Sequence, residues 1–190
     1  MPLVPVIESR RAYRALSTKN ISRDVINRLI EAAHTAPSSG NNQPWRIITV
    51  DDDTQLAALK ETLSRGNYWA QKAPVIAAFV THPSWSMQIG DRDYAFFELG
   101  MAAMSFQLQA VHEGLYVHPI AGFNADAAKK VLGIPEEFVL ETLVILGHPG
   151  EMDDLNEKHR ESEVGPRLRK PIEDIATFSR WDERLVPKDK

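Results

Sequence analysis

The stretch from Asp91 to Glu113 constrains the fold more than any other part of the sequence, because it predicts one long apolar helix. Gly114 follows it as a stop signal. A helix that is apolar over such a length is typically buried, so we expect it to form the central core. Its large apolar side chains recur every three or four residues, at Tyr94, Phe97, Met101, Met104, Leu108 and Val111.

Shorter patterns on both sides of this helix predict further elements. Ser22 is a candidate N-cap for a helix with an apolar face at helical spacing. Pro74–Thr81 has the short apolar run of a buried strand. The other helices are predicted at residues 22–35, 54–64 and 124–133, and the strands at 46–50, 74–81, 116–120 and 138–147.

Residues 151–190 differ in character from the preceding chain. Residues 151–165 are dense in charge and poor in apolar side chains, which predicts a solvated excursion. Apolar residues return at Ile172, Ile175 and Phe178, which offer a small apolar face. A tail that leaves a domain and regains apolar residues typically docks on another surface, and a partner subunit is the natural candidate.

The composition excludes several classes of protein. A length of 190 residues predicts one domain, and a net charge of −4 provides no global basic field for nucleic acid or an anionic membrane. The absence of cysteine excludes disulfides and thiolate metal sites, and the histidines lack metal-ligand spacing. The N-terminus resembles no signal peptide, and no apolar run reaches the roughly 18–20 residues of a membrane span. We therefore expect a cytoplasmic protein.

Two clusters of arginine are candidate anion sites. Arg10, Arg11 and Arg14 lie within five residues, and on a helix Arg10 and Arg14 would share a face. Two guanidinium groups on one face suit a phosphate, which arginine can bind bidentately. The second cluster is Arg167-Leu168-Arg169-Lys170. Either cluster could instead be a solvated basic face.

The run Pro37–Pro44 is the most informative polar segment, and we call it the polar loop. It separates a helix pattern from a strand pattern, and a purely structural turn needs fewer residues. Its serines, asparagines and glycine offer donors and acceptors that suit the edge of a polar heteroaromatic ring, although an ordinary loop remains the alternative. In His118–Phe123, a glycine could let a flat ligand approach the backbone, and we expect His118 to be a packed residue.

The segments RRAYR, PSSGNNQPW, HPIAGF and PRLRKPIEDI occur in an order that resembles the FMN-dependent nitroreductase family over nearly the whole chain. The PSSGNNQPW segment is the most specific of the four. The resemblance implies an α+β fold, with a central, mostly antiparallel sheet flanked by helices. It also implies an intertwined homodimer with FMN at the interface, in which residues 151–190 wrap around the partner.

The resemblance also implies which residues contact FMN. Arg167 and Arg169 would join Arg10 at the phosphate, and the polar loop would reach the flavin bound mainly by the other subunit. Ala12 and Ala121 depart from the serine and glutamate that relatives can carry, which changes the hydrogen bonding and the acceptor pocket. The full implied set is Arg10, Arg11, Ala12, Arg14, Pro37, Ser38, Ser39, Asn41, Asn67, Ile120, Ala121, Gly122, Arg167 and Arg169.

The implied activity is a ping-pong hydride transfer, in which NADH or NADPH reduces FMN and FMN reduces a nitroaromatic, a quinone or a related small acceptor. FMN carries the redox chemistry, so the protein needs neither a catalytic nucleophile nor a metal. Three alternatives remain: a specialised flavin dehydrogenase or reductase of the same fold, a non-catalytic FMN carrier or redox sensor, and a nucleic-acid patch formed by the arginines. The acidic net charge argues against the last.

Overall fold

An antiparallel sheet with helices on both faces organises the molecule, and a computed structural model describes its residues 3–187. The helices are α1 (Pro5–Ser9), α2 (Arg23–His34), α3 (Asp53–Lys60), α4 (Tyr94–His112), α5 (Ala125–Leu132) and α6 (Glu157–Val164). The strands are β1 (Leu16–Ser17), β2 (Arg46–Val50), β3 (Val75–Thr81), β4 (Gln88–Ile89), β5 (Arg92–Asp93), β6 (Tyr116–Ile120) and β7 (Val139–Pro149).

The strand β7 is the longest element of the sheet and joins its two halves. It pairs with β3 on one edge and with β6 and β1 on the other, and β2 pairs with the far edge of β3. All of these pairings are antiparallel, whereas β4 and β5 form a separate hairpin. The predicted α+β class with an antiparallel sheet is confirmed.

The core lies on both faces of β3, in which every residue is buried. On one face, α2 and α4 cover the sheet, and Phe79 of β3 meets Phe106 of α4 edge to face at 5.4 Å between ring centroids. On the other face, α3 and α5 contribute Leu59 and Ala128 to a second apolar cluster. Because both faces of β3 are buried, its sequence is apolar almost throughout instead of alternating.

Local signals placed several elements where the sequence predicts them. The Ser22 hydroxyl accepts a hydrogen bond from the backbone N–H of Val25 at the start of α2. Asn124 caps α5 in the same way, and Gly133 ends that helix in the left-handed region with φ 67°. The strands β2 and β6 have the predicted bounds.

The long helix α4 differs from its prediction in two respects. It begins at Tyr94, because the preceding residues form the β4–β5 hairpin. Its buried face carries Ala95, Leu99, Ala102, Phe106 and Ala110. The larger side chains that predicted a central position lie elsewhere on the helix: Phe97 is 61% exposed and Met104 is 44% exposed. This chain therefore covers only one face of an apolar helix.

Three further expectations from the sequence are wrong. The helix α1 ends at Ser9, so Arg10–Arg14 is not helical and Arg10 already has extended backbone angles. The predicted helix 54–64 ends at Lys60. Residues 151–165 are not simply solvated, because they contain α6 with a buried Glu163. Among residues 3–187, no helix is long and apolar enough to cross a membrane.

Candidate functional site

The two arginine clusters come together in one pocket of about 440 Å³, which we call the arginine pocket. One wall is the arginine segment, Arg10–Arg14, and the other is formed by the end of α6 and the chain up to Arg169. The two ends of the chain meet because Arg11 and Arg167 each donate hydrogen bonds across the gap. Solvated faces unrelated to each other would not produce this convergence.

The guanidinium groups of Arg11 and Arg167 cap the C-terminal ends of two helices. Arg11 donates to the carbonyls of Ser162 and Gly165, at 3.2 and 2.7 Å, where α6 ends. Arg167 donates to three carbonyls at the end of α1, including that of Arg10 at 2.7 Å. Cations at these positions satisfy carbonyls that have no partner within the helix. These hydrogen bonds hold the two walls of the pocket together and occupy guanidinium donors of both residues.

Arg10 and Arg169 remain as the cations best able to bind an anion. Burial lowers the pKa of the Arg10 guanidinium, and the positive charges of Arg167 and Arg169 lower it further. Within residues 3–187, no acceptor lies at hydrogen-bond distance from the Arg10 guanidinium, and Arg169 donates only to the adjacent Leu168 carbonyl. Crowded cations of this kind favour a bound anion, which would relieve their mutual repulsion.

A stack of side chains connects the arginine pocket to the sheet. The Arg14 guanidinium lies 6.0 Å from the Trp69 ring, which in turn stacks on His118 with centroids 4.7 Å apart. Burial lowers the pKa of His118 to about 4, and the charge on Arg14 adds to this effect. The Nδ1 atom of His118 lies 3.3 Å from the Tyr13 carbonyl. His118 is therefore packed, as its sequence context indicates.

The buried carboxylate of Glu163 fixes the arginine segment from the other side. It accepts the backbone N–H groups of Arg14 and Ala15, at 2.9 and 3.4 Å, and lies 4.0 Å from the Arg14 guanidinium. Ala12, between Arg11 and Tyr13, also lines the pocket. Sequence reasoning missed Glu163 because it lies in a charge-rich stretch, where nothing distinguishes a buried glutamate from a solvated one.

The segment Ile120–Gly122 follows β6 and is held by neighbouring side chains. The Gly122 carbonyl accepts hydrogen bonds from the backbone N–H of Ser64, at 2.9 Å, and from the Asn67 amide, at 2.7 Å. A Cβ atom at Gly122 would lie 2.7 Å from the Asn67 amide nitrogen, so a larger residue here would displace the Asn67 side chain. Ile120 is buried and Ala121 is exposed. The structure thus brings Asn67 and this segment together.

The polar loop is ordered by its own hydrogen bonds. The Ser38 hydroxyl accepts the Gln43 backbone N–H at 2.9 Å, and the Thr81 hydroxyl donates to the Pro44 carbonyl. Gly40 and Asn41 have positive φ angles of 56° and 58°. Both are exposed, whereas Ser38 and Ser39 are half-buried and Pro37 is exposed at the entry. The loop is therefore preorganised with its tip facing outward.

The polar loop and the arginine segment lie toward opposite ends of strand β7. Arg46, just after the loop, pairs with Val80, which pairs with Leu140. Leu16, just after the arginine segment, pairs with Pro149. Positions 140 and 149 lie nine residues apart on β7, which corresponds to about 30 Å of strand. The structure does not bring these two predicted parts of the site together within one chain.

Comparison with known proteins identifies the family of this chain. The Nitroreductase family matches residues 7–148, which is most of the chain. The chain belongs to the nitroreductase family. A nitroreductase-family relative from Archaeoglobus fulgidus, provisionally named NADH dehydrogenase/NAD(P)H nitroreductase, is 31% identical over 156 residues, covering 80% of this chain and 88% of its own.

Solved structures agree with this nitroreductase assignment. The crystal structure of an oxidoreductase containing FMN has a TM-score of 0.84 and 28% identity, covering 96% of this chain and 94% of its own. A nitroreductase-fold protein from Exiguobacterium sibiricum, solved in complex with FMN, has a TM-score of 0.77 and 21% identity, covering 92% of this chain and 95% of its own. At that identity, the second similarity concerns the fold alone.

A second buried glutamate of this nitroreductase-family chain was not predicted from the sequence. Glu98 lies on α4 and is 2% exposed, and its carboxylate contacts the polar loop. The signal was available: a glutamate stands alone in the apolar run Phe96–Met104. A charged residue is rarely fully buried without partners, so its position on an otherwise apolar helix indicates a specific contact.

Proposed function

We propose that this protein is an FMN-dependent oxidoreductase that uses NAD(P)H to reduce nitroaromatic, quinone or related small acceptors. The observation that carries the proposal is the arginine pocket, in which the half-buried Arg10 guanidinium faces the charges of Arg167 and Arg169. The names of relatives add support, since one from Bacillus subtilis, 26% identical over 155 residues, is an FMN reductase [NAD(P)H].

The FMN phosphate fits the arginine pocket in charge and in donor geometry. Arg10 and Arg169 would bind it directly, since their guanidinium groups retain donors, and Arg11 and Arg167 would keep the two walls in place. A phosphate accepts bidentate hydrogen bonds from guanidinium, which strengthens each contact. Arg10 is half-buried, which reduces competition from water at that donor.

The isoalloxazine ring fits beside the segment Ile120–Gly122. Gly122 leaves the backbone free of a side chain there, and Asn67 holds the Gly122 carbonyl in place. Arg14 lies between the arginine pocket and Trp69, so its charge would favour an anionic reduced ring. Bound FMN would supply the redox chemistry, taking a hydride from NAD(P)H and passing it to the acceptor.

A homodimer would bring the polar loop to the cofactor. The loop lies about 30 Å of strand away from the arginine segment in its own chain, and we expect a second copy to supply it to the cofactor. Two apolar surfaces are available for such a contact. One is the outward face of α4 around Phe97 and Met104, and the other is the C-terminal segment, residues 164–187, with Phe178 96% exposed.

Steady-state oxidation of NADH and of NADPH with a quinone or a nitroaromatic acceptor tests the proposed function. We expect purified protein loaded with FMN to oxidise at least one nucleotide with saturation in both substrates and parallel double-reciprocal lines. A yellow protein without saturable turnover would instead be a flavin carrier or redox sensor. A colourless protein that binds no added FMN at micromolar concentration would contradict the proposal.

A further inference from the structure

Glu98 connects two separate loops through the two oxygens of its carboxylate. Its Oε1 atom accepts the backbone N–H of Ser39 at 2.7 Å, and its Oε2 atom accepts the Ser86 hydroxyl at 2.6 Å. Both donors are neutral, so hydrogen bonds rather than an ion pair satisfy the carboxylate. Because an apolar side chain would be buried at lower cost, packing of α4 does not explain a glutamate at this position.

The loop on the Oε1 side has a backbone conformation that needs support. Gly40, Asn41 and Gln43 all have positive φ angles, of 56°, 58° and 49°, and two of these residues are not glycine. Such angles are unfavourable for residues with a side chain. Ser39 begins the turn that contains Gly40 and Asn41, so its N–H is the point at which Glu98 fixes the loop.

The loop on the Oε2 side leads into the β4–β5 hairpin. Ser86 stands directly before Met87, whose sulfur lies 3.9 Å from the Ser39 hydroxyl oxygen. The Met87 carbonyl also accepts the backbone N–H of Tyr94, where α4 begins. The hairpin and the polar loop are therefore held against each other, with the carboxylate of Glu98 as their common acceptor.

We propose that Glu98 is a positioning residue for the FMN site. It acts through Ser39 and Ser86, and holds the polar loop in the conformation that presents Gly40 and Asn41 to the cofactor of a second copy. This inference rests on the proposed function, because it needs FMN at an interface that the polar loop completes. Glu98 itself does not contact FMN in this account.

The test compares FMN dissociation constants by quenching of flavin fluorescence, using apoprotein of the full chain. We expect Glu98→Ala to weaken FMN binding about tenfold, because the loop loses its support and relaxes. Glu98→Gln should stay within about threefold of wild type, since its amide can still accept from Ser39 and can donate to Ser86. Ser86→Ala, which removes one hydrogen bond, should fall between them.

The matched control is Leu99→Ala, the adjacent buried residue of the same helix. It destabilises the core but leaves both hydrogen bonds of Glu98, so its FMN dissociation constant should remain near that of wild type. Hydrogen exchange provides a second measurement that needs no FMN. The Ser39 amide should exchange faster in apoprotein carrying Glu98→Ala than in wild type or in the Leu99→Ala control.

Two results would overturn the inference: an unchanged FMN dissociation constant in Glu98→Ala, or an equal loss of affinity in Leu99→Ala. If Glu98→Ala does not fold, wild-type affinity in Ser86→Ala would overturn it instead. If wild-type apoprotein binds no FMN, the proposed function fails. The exchange of the Ser39 amide then still decides whether Glu98 holds the loop, and unchanged exchange in Glu98→Ala would refute that.

Discussion

Strand β3 and the C-terminal segment 164–187 both carry large apolar side chains, but those of β3 are buried and several of the C-terminal segment are exposed to solvent. Phe79 of β3 is fully buried, with helices covering both faces of the sheet. In the C-terminal segment, Leu168 is 80% exposed and Phe178 is 96% exposed. An exposed apolar surface of this extent is typical of a protein interaction site. One region is thus stabilised by its own chain, and we expect the other to be stabilised by a partner.

The outward face of α4 belongs with the C-terminal segment in this respect. Phe97 and Met104 are seven residues apart, so they lie on the same side of the helix. The opposite side of the same helix packs against the sheet through Leu99 and Phe106. A single helix therefore contributes to the core of the chain and, in the proposed homodimer, to the contact with the second copy.

Removal of the chain from Gly165 onward should have the largest effect on the proposed partner-dependent region. We expect the truncated protein to lose both the dimer and bound FMN, because a ligand that binds only the assembled state is linked to assembly. Size-exclusion chromatography with in-line visible absorbance measures both. The truncation also removes Arg167 and Arg169, so full-length Phe178→Asp, which retains them, is the control and should also weaken the dimer. A yellow, stably dimeric truncation would contradict this account.

Alanine substitution of one phenylalanine in each region should separate self-contained from partner-dependent stability. Phe79→Ala should lower the free energy of unfolding by about 3–5 kcal/mol at any protein concentration, because it leaves a cavity in the core. Phe178→Ala should have an effect that grows as the protein is diluted, because its contact is intermolecular. Urea unfolding at two protein concentrations measures both. Equal, concentration-independent losses would mean that the two regions do not differ.

Single arginine substitutions test the arginine pocket, where the C-terminal segment meets the N-terminal residues. Arg10→Ala and Arg169→Ala should each weaken FMN binding by about 1.5–3 kcal/mol, or one to two decades, since each removes a charge-assisted contact. Arg28→Ala, which removes a surface cation paired with Glu113, is the matched control. Fluorescence titration gives the dissociation constants, and unchanged values in both variants would mean that the cluster is only a solvated basic face.

Protonation of His118, which packs against Trp69, should give the smallest of these effects, a pH dependence of the free energy of unfolding. Its pKa is lowered to about 4 in the folded state, so between that value and about 6.5 the unfolded chain binds a proton that the folded chain does not. Lowering the pH from about 7.5 to about 5 should therefore cost about 1–2 kcal/mol of stability through this group.

Urea unfolding at the two pH values measures this contribution in wild type and in His118→Phe. The variant keeps a ring against Trp69 but cannot be protonated, so it should lose less stability on acidification than wild type does. His34→Phe, which removes an exposed imidazole, should behave like wild type. An identical pH dependence in wild type and His118→Phe would show that His118 does not contribute.

The parts of the fold that could be predicted from sequence are those with local causes. The strand β2 is a β-branched run bounded by a proline-rich loop, and the cap at Ser22 acts within four residues of chain, so both were predicted correctly. The end of α1 and the start of α4 were not. The arginine segment is extended because it lies against Tyr116 and His118, and such tertiary contacts leave no local pattern.

The candidate site divides in the same way. The sequence indicated the arginines and the polar loop as candidate functional segments, and the structure places Arg167 and Arg169 close enough to Arg10 to lower its pKa. It did not indicate that Arg11 and Arg167 end helices, because that depends on where α1 and α6 lie. Their FMN contacts, and the role of the polar loop in a second copy's site, stay predictions.

The mass and flavin content of the purified full-length protein, measured together, test whether two copies of this chain share an FMN site. Size-exclusion chromatography with light scattering and visible absorbance gives both values in one experiment. We expect a particle of twice 21.4 kDa that carries about one FMN per chain. A yellow monomer would contradict the shared site, and a colourless protein that takes up no added FMN would contradict the function.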